Sequence, residues 1–427
     1  MSPVPRPDHH RDDPRGADPA DRRTERHGTH RSARSAGLRH VLMHLITPLL
    51  MCIGMGLAYL GAFANPAPHH LPVAIVGSGQ KAQLLAQSIN DRAGGDLDVR
   101  TVDGRSAAID QLKRQDIFGA YVMKAKSGTG EIAGGGAGAG TDAGGRGASG
   151  GARPSGPELI VATAGSDTSA SVVQKIFTPI AAQQGVPLKV TDVAPTAEDD
   201  PTGQGIFFLL VAISIGSYAS VAVIGGAGAV LPVRLRAALA LGTSFVVGLI
   251  GAAFAGPVFH LVDHGLWGLW GMAWLYSAGI LMIGTGLHTF LKRWTTLGVM
   301  ALFVMLNFTS SGGIFRPEMQ NGFFAALHSF WNGAGFVEGT RSHVYFDGYG
   351  LAGHVWTLAA WLVVGVLMVG VAGLAERKRR TAEATAVANA AAVAAAAVAA
   401  TVPVPERVPV RVVQEEMEEE MEEAVGV

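Results

Sequence analysis

Six runs without a single Asp, Glu, Lys or Arg decide most of what this chain can become. They are Val41 to Ala64, Gly205 to Val230, Ala237 to Phe259, Leu266 to Leu291, Trp294 to about Ser311, and Leu351 to Ala375. A helix rises about 1.5 Å per residue, so about 20 apolar residues cross a hydrocarbon core about 30 Å thick. Core helices of soluble proteins keep a polar face, and runs this long without charge imply spans in a lipid bilayer. The fifth run is short for that task. Of the 67 charged residues, 10 fall among the 172 positions from Gln204 to Ala375, which marks that block as the membrane domain. The first run is read as an uncleaved anchor, because it exceeds the apolar core of a signal peptide and lacks a small-residue exit.

Lys and Arg at the ends of the runs set the expected orientation. Arg31, Arg34 and Arg39 precede the first; Arg234 and Arg236 separate the second and third; Lys292 and Arg293 separate the fourth and fifth; Arg377 to Arg380 follow the sixth. Both termini are therefore expected in the cytoplasm of a cell-membrane protein, with residues 65–204 outside. The net charge of −1 gives no electrostatic basis for binding nucleic acid. A single cysteine, Cys52, excludes a disulfide framework and a multi-thiolate zinc site.

Outside the runs the chain divides further. Residues 1–40 are polar and charged and read as a disordered tail. Residues 41–64 form the first helix, and 65–204 form a small α/β domain. Its strands are expected at Leu71–Val76, Leu97–Val102, Ile117–Met123, Glu158–Ala164 and Pro187–Val193. Helices are expected at Lys81–Arg92, Ala107–Arg114 and Asp167–Gln184, the last capped by Ser166 and bent at Pro179. The Gly-rich stretch 127–157 reads as a flexible insertion at the tip of a hairpin between two neighbouring strands. Residues 205–375 form a five-helix membrane domain with an outer, re-entrant or interfacial segment at 312–350. Residues 376–427 form a cytoplasmic tail, Ala-rich and then acidic.

Several motifs need weighing. Gly77-Ser78-Gly79-Gln80-Lys81-Ala82 fits the dinucleotide fingerprint G-x-G-x-x-A between a strand and a helix, but outside a membrane it reads better as a tight turn. His260, Asp263 and His264 share metal-like spacing in a short loop and read as a polar tip; no metal and no cofactor is expected. Asn307 and Ser310, late in the fifth run, are candidates to line a translocation path, with interhelical bonding as the plainer role. No acidic residue or Lys falls within a run, which leaves no proton relay. Gly248, Ala252 and Gly256 give small-residue spacing for close packing, within the bundle or between subunits. Arg234 and Arg236 open the third run as a basic amphipathic start suited to a cytosolic partner. An amphipathic outer helix is expected around Phe323, Phe324 and Leu327, ended by Asn332-Gly333, with a second from Gly335 to Phe346.

One helix, a large outer domain and five more helices resemble the phage-infection-protein (YhgE/Pip-like) branch of type-2 ABC transporter permeases. The resemblance rests on Pro72-Val73-Ala74-Ile75-Val76, on Phe118 to Met123, on Ser311 to Leu327, and on Glu338-Gly339-Thr340-Arg341. Gly77-Ser78-Gly79 stands where the family has an acidic residue, and Trp331-Asn332 where it has a Pro. The resemblance implies a permease subunit that forms a homo- or heterodimer and exports a hydrophobic or amphipathic substrate or polymer. A separate cytoplasmic ATPase would dock at Arg234 and Arg236; the chain itself has no G-x-x-x-x-G-K-[ST] phosphate loop. The alternative is a non-transport envelope protein whose outer domain acts as a receptor or secretion-apparatus scaffold. No nucleophile–base pair points to an enzyme.

Overall fold

The computed structural model describes residues 49–64, 66–123 and 156–401. The expected tail at 1–40, the start of the first run, nearly all of the 127–157 insertion and the acidic end lie outside the described residues. The chain divides into two units at Val369/Gly370.

Four helices are long and apolar enough to cross a membrane, which makes this a helical membrane protein. They are α5 (Gly205–Gly226), α6 (Val233–Val258), α7 (Leu266–Leu291) and α11 (Leu351–Thr401). The other two expected spans appear as shorter apolar helices, α1 (Leu49–Phe63) and α8 (Thr295–Ser310). At about 1.5 Å per residue, neither reaches the thickness of a hydrocarbon core of about 30 Å over its described length. Within α8, six residues, Ala301–Leu306, form a π-helical stretch. The final turn of α6, Phe254–Val258, is also π-helical and carries Pro257.

The α/β domain has the elements β1 (Leu71–Val76), α2 (Gln80–Ala93), β2 (Leu97–Val102), α3 (Arg105–Lys113), β3 (Ala120–Val122), β4 (Glu158–Val161), α4 (Asp167–Gln183) and β5 (Lys189–Asp192). The sheet order is β2-β1-β3-β4-β5. β1 pairs parallel with β2 and β3, β3 antiparallel with β4, and β4 parallel with β5. β3 and β4 thus flank the insertion as hairpin neighbours. Ser166 caps α4 by accepting from the Ser169 backbone N–H.

Each face of the sheet is covered. On one face α2 and α4 bury Ala82, Ile89, Val173 and Phe177, and the Phe177 ring stacks on Tyr121 at 4.8 Å. On the other face, Ala108 and Leu112 of α3 pack beside Phe346, which comes from the membrane half of the chain. The buried carboxylate of Glu158 accepts from Arg105 at 3.1 Å and from Thr191 at 2.7 Å, tying β4 to α3 and β5. Burial would raise its pKa, but these donors outweigh burial and hold it below the ordinary value.

In the bundle, α6 packs closely on α7. Gly248 leaves only 3.1 Å between an added Cβ and the Trp274 backbone nitrogen, and Gly256 faces Leu266. The small residues of α6 therefore serve contacts inside the bundle. The outer segment forms α9 (Gly322–His328) and α10 (Asn332–Tyr345). Asn332-Gly333 opens α10; the chain breaks one turn earlier than the sequence pattern implies. α10 is buried almost throughout and packs against α5, α7 and the end of α8. α11 runs on through Arg377–Arg380 to Thr401, beyond the expected end at Ala375. Ala is a strong helix former, and the pairs Arg379–Glu383 and Glu376–Arg380 bridge successive turns.

Candidate functional site

Three segments expected on one side of the membrane meet at one end of the bundle: the α/β domain, the α6–α7 loop and residues 312–350. Asp199 lies 3.9 Å from His260, and the Tyr345 hydroxyl donates to the Leu261 carbonyl at 3.1 Å. Arg234, Arg236 and Lys292 belong to the opposite ends of these helices.

The joint between the α/β domain and the bundle is built on buried charge. Glu338 of α10 is 2% exposed and lies between two arginines. Arg316 reaches one carboxylate oxygen at 2.5 Å and Arg341 the other at 3.0 Å. Arg341 also donates to the carbonyls of Gly312 and Gly313, at 2.9 and 3.1 Å. Arg316 extends to the α/β domain, donating to Gln115 at 2.9 Å with its guanidinium 5.1 Å from the centre of the Phe118 ring. Gly312 makes this packing possible. Its φ is +73°, and a Cβ there would come within 2.6 Å of the His328 ring and 2.9 Å of Glu338.

Burial alone would raise the pKa of Glu338, yet the two arginines outweigh it and hold the group down to about 2. His328, half-buried beside the cluster, donates from Nδ1 to the Ser310 carbonyl, 2.9 Å away. Burial pushes its pKa down to about 4. Around this core, His69 donates its backbone N–H to Glu318, Lys113 pairs with Asp347 at 2.8 Å, and Thr168 donates to Ile314. No buried acid was expected here from the sequence. The signal was present, however: Glu338 and Arg341 stand one helical turn apart in a block almost free of charge.

A second polar centre lies within the bundle. The Tyr276 hydroxyl bonds Ser214 at 2.5 Å and accepts from the Asn307 amide at 2.6 Å, linking α7, α5 and α8. Asn307 Oδ1, both side-chain polar atoms of Asn332, Ser277 Oγ and Thr340 Oγ1 are buried with no hydrogen-bond partner.

The sequence-derived candidates fall as follows. Asn307 joins this network and is fully buried. Ser310 is also fully buried, but its hydroxyl turns back to the Leu306 carbonyl of its own helix. The two are one turn apart on α8, Asn307 bonding across to Tyr276 and Ser310 within its own helix. Arg234 is exposed, whereas Arg236 is 3% exposed and its stem packs toward Gly228. Of the two, Arg234 alone is open to solvent. Phe323 and Phe324 meet edge to face at 5.1 Å but differ in burial: Phe323 is 60% exposed, while Phe324 is buried and lies near Gly61 of α1. Leu327 is half-buried.

In the Gly77–Ala82 turn, Gly77 has φ +134° and packs against Ala82, as a tight strand-to-helix connection requires. Among the described residues, no three His, Cys, Asp or Glu side chains gather to hold a metal. No family model, curated protein or solved structure matches the chain.

Proposed function

We propose that the chain is the membrane half of an export-type transporter that works with a separate cytoplasmic ATPase. Its termini face the cytoplasm and its α/β domain faces outward. The substrate is a hydrophobic or amphipathic compound or polymer. One observation carries the proposal: the bundle interior holds a connected polar network and a set of unpartnered polar atoms, gathered around a π-broken α8 and a buried α10. An unpaired buried polar group costs about 1–3 kcal/mol. Discontinuous helices around buried polar groups suit a bundle that rearranges to admit substrate or water.

Positive residues at the Arg234 end support the orientation, and exposed Arg234 is the contact offered to the ATPase. Dimerisation and the ATPase partner rest on the family resemblance.

Affinity purification in mild detergent, with identification of the co-purifying proteins, tests this function. An ATPase in the eluate, lost with Arg234→Glu, is the expected result. Envelope proteins alone would instead favour a receptor or secretion scaffold displayed on the α/β domain.

A further inference from the structure

Where the α/β domain descends into the bundle, a cavity of about 450 Å³ opens between the start of α5 and the end of α6. Its lower wall is apolar, formed by Phe208, Ala212, Phe254 and Phe259. All four side chains are exposed at the rim of membrane-spanning helices, and Phe208 and Phe259 are 60% and 57% exposed. Its upper end carries two carboxylates, Asp199 and Asp200. From Gly205 to Ala212 the groove follows α5 for about 10 Å at 1.5 Å per residue.

The charge at the head of the groove is specific in sign. Asp200 is 6% exposed and already occupies the positive end of α5, accepting from the backbone N–H of Gln204 at 3.2 Å and of Gly205 at 2.8 Å. An anionic ligand would find that helix end taken. Basic side chains nearby include His260, 3.9 Å from Asp199, and Arg341, whose guanidinium is held by Glu338 and the Gly312 and Gly313 carbonyls. Burial pushes the Asp200 carboxyl above its ordinary value, against the lowering by its backbone N–H donors and by Arg341. A groove with an apolar floor, open toward lipid, and a carboxylate pair at the water-facing end has the profile of a pocket for one kind of molecule.

We infer that this groove binds an amphiphile with an ammonium head, its apolar chain along Phe208, Ala212 and Phe254 and its head at Asp199 and Asp200. The inference stands apart from the transport function, because binding needs neither ATP nor a partner. The same head-and-chain chemistry is available as a free alkylammonium compound or as an aminophospholipid of the bilayer.

Binding of radiolabelled dodecyltrimethylammonium to the full chain in neutral maltoside detergent tests it, with radiolabelled dodecyl sulfate as the comparison. The cation is expected to bind saturably and the anion not. Ala212→Trp, at an exposed position that fills the groove, abolishes binding while leaving the melting midpoint unchanged. Asp199→Asn weakens binding about threefold to fivefold, in keeping with a partly exposed charge pair. Displacement of the label by phosphatidylethanolamine, but not by phosphatidylglycerol, in nanodiscs assigns the natural occupant to the lipid. Saturable binding with no displacement assigns it to a free amphiphile. Equal binding of the two detergent ions, or full retention of binding in a folded Ala212→Trp protein, would overturn the inference.

Discussion

At the scale of single residues, Glu338 carries the most. It is shared by Arg316 and Arg341 in the buried cluster, and both of its oxygens are engaged. Glu338→Gln removes the carboxylate shared by the two guanidiniums and leaves only Glu318, 3.9 Å from Arg316, as a close counter-charge. Breaking a buried pair this way costs about 3–5 kcal/mol, and the melting midpoint of the detergent-solubilised protein should fall accordingly; an unchanged midpoint would refute the cluster. The pH dependence has a definite sign. Glu338 is depressed to about 2, so its contribution is complete above the ordinary carboxylate range and is lost only as pH falls toward 2. His328 is depressed from 6.5 to about 4, so the unfolded chain takes up its proton first. Stability should therefore decline between pH 6.5 and 4, by at most about 3 kcal/mol from this group. A melting series on His328→Gln should show a flatter profile over that window, and a profile identical to wild type would exclude His328 as its source.

At the scale of elements, the parts with local periodicity were legible and the parts made by distant pairing were not. The strands Leu71–Val76 and Leu97–Val102 have the bounds that their apolar patterns imply. β3 is only three residues long: the chain bends at Phe118, although Phe118 and Gly119 still bond to Pro72 and Ala74 of β1. The polar residues of the outer segment were the hardest to place. Charge and Gly breaks suggest exposure, yet α10 is a buried helix. Its Glu338 finds a partner 22 positions away at Arg316, a distance that no periodicity encodes. Likewise Arg236 pairs with Arg234 in sequence but not in space, since helical geometry turns it inward. At α6 the small residues were visible, and only the structure chose their neighbour. Gly248→Leu should force α6 from the Trp274 backbone, costing about 1–3 kcal/mol as an overpacked contact. Detergent melting checks this; a tolerated Leu at that position would mean that the α6–α7 contact is looser than described.

At the scale of the whole molecule, the α/β domain is held to the bundle by Arg316, Phe346 and the Lys113–Asp347 pair rather than hanging from a linker. The 312–350 segment therefore contacts both halves. This arrangement requires that the α/β domain and Arg234 lie on opposite sides of the bilayer. With Cys52→Ser as background, a cysteine at exposed Asp98 should react with an impermeant maleimide added to intact cells, and one at Arg234 should react only after lysis; the reverse pattern would invert the topology. The most direct trial of the transport function is ATP hydrolysis measured in the eluate of the tagged chain, purified in mild detergent. Hydrolysis that co-elutes with the chain and disappears with Arg234→Glu is the predicted result. A folded, full-length chain that elutes with no ATPase activity would contradict it.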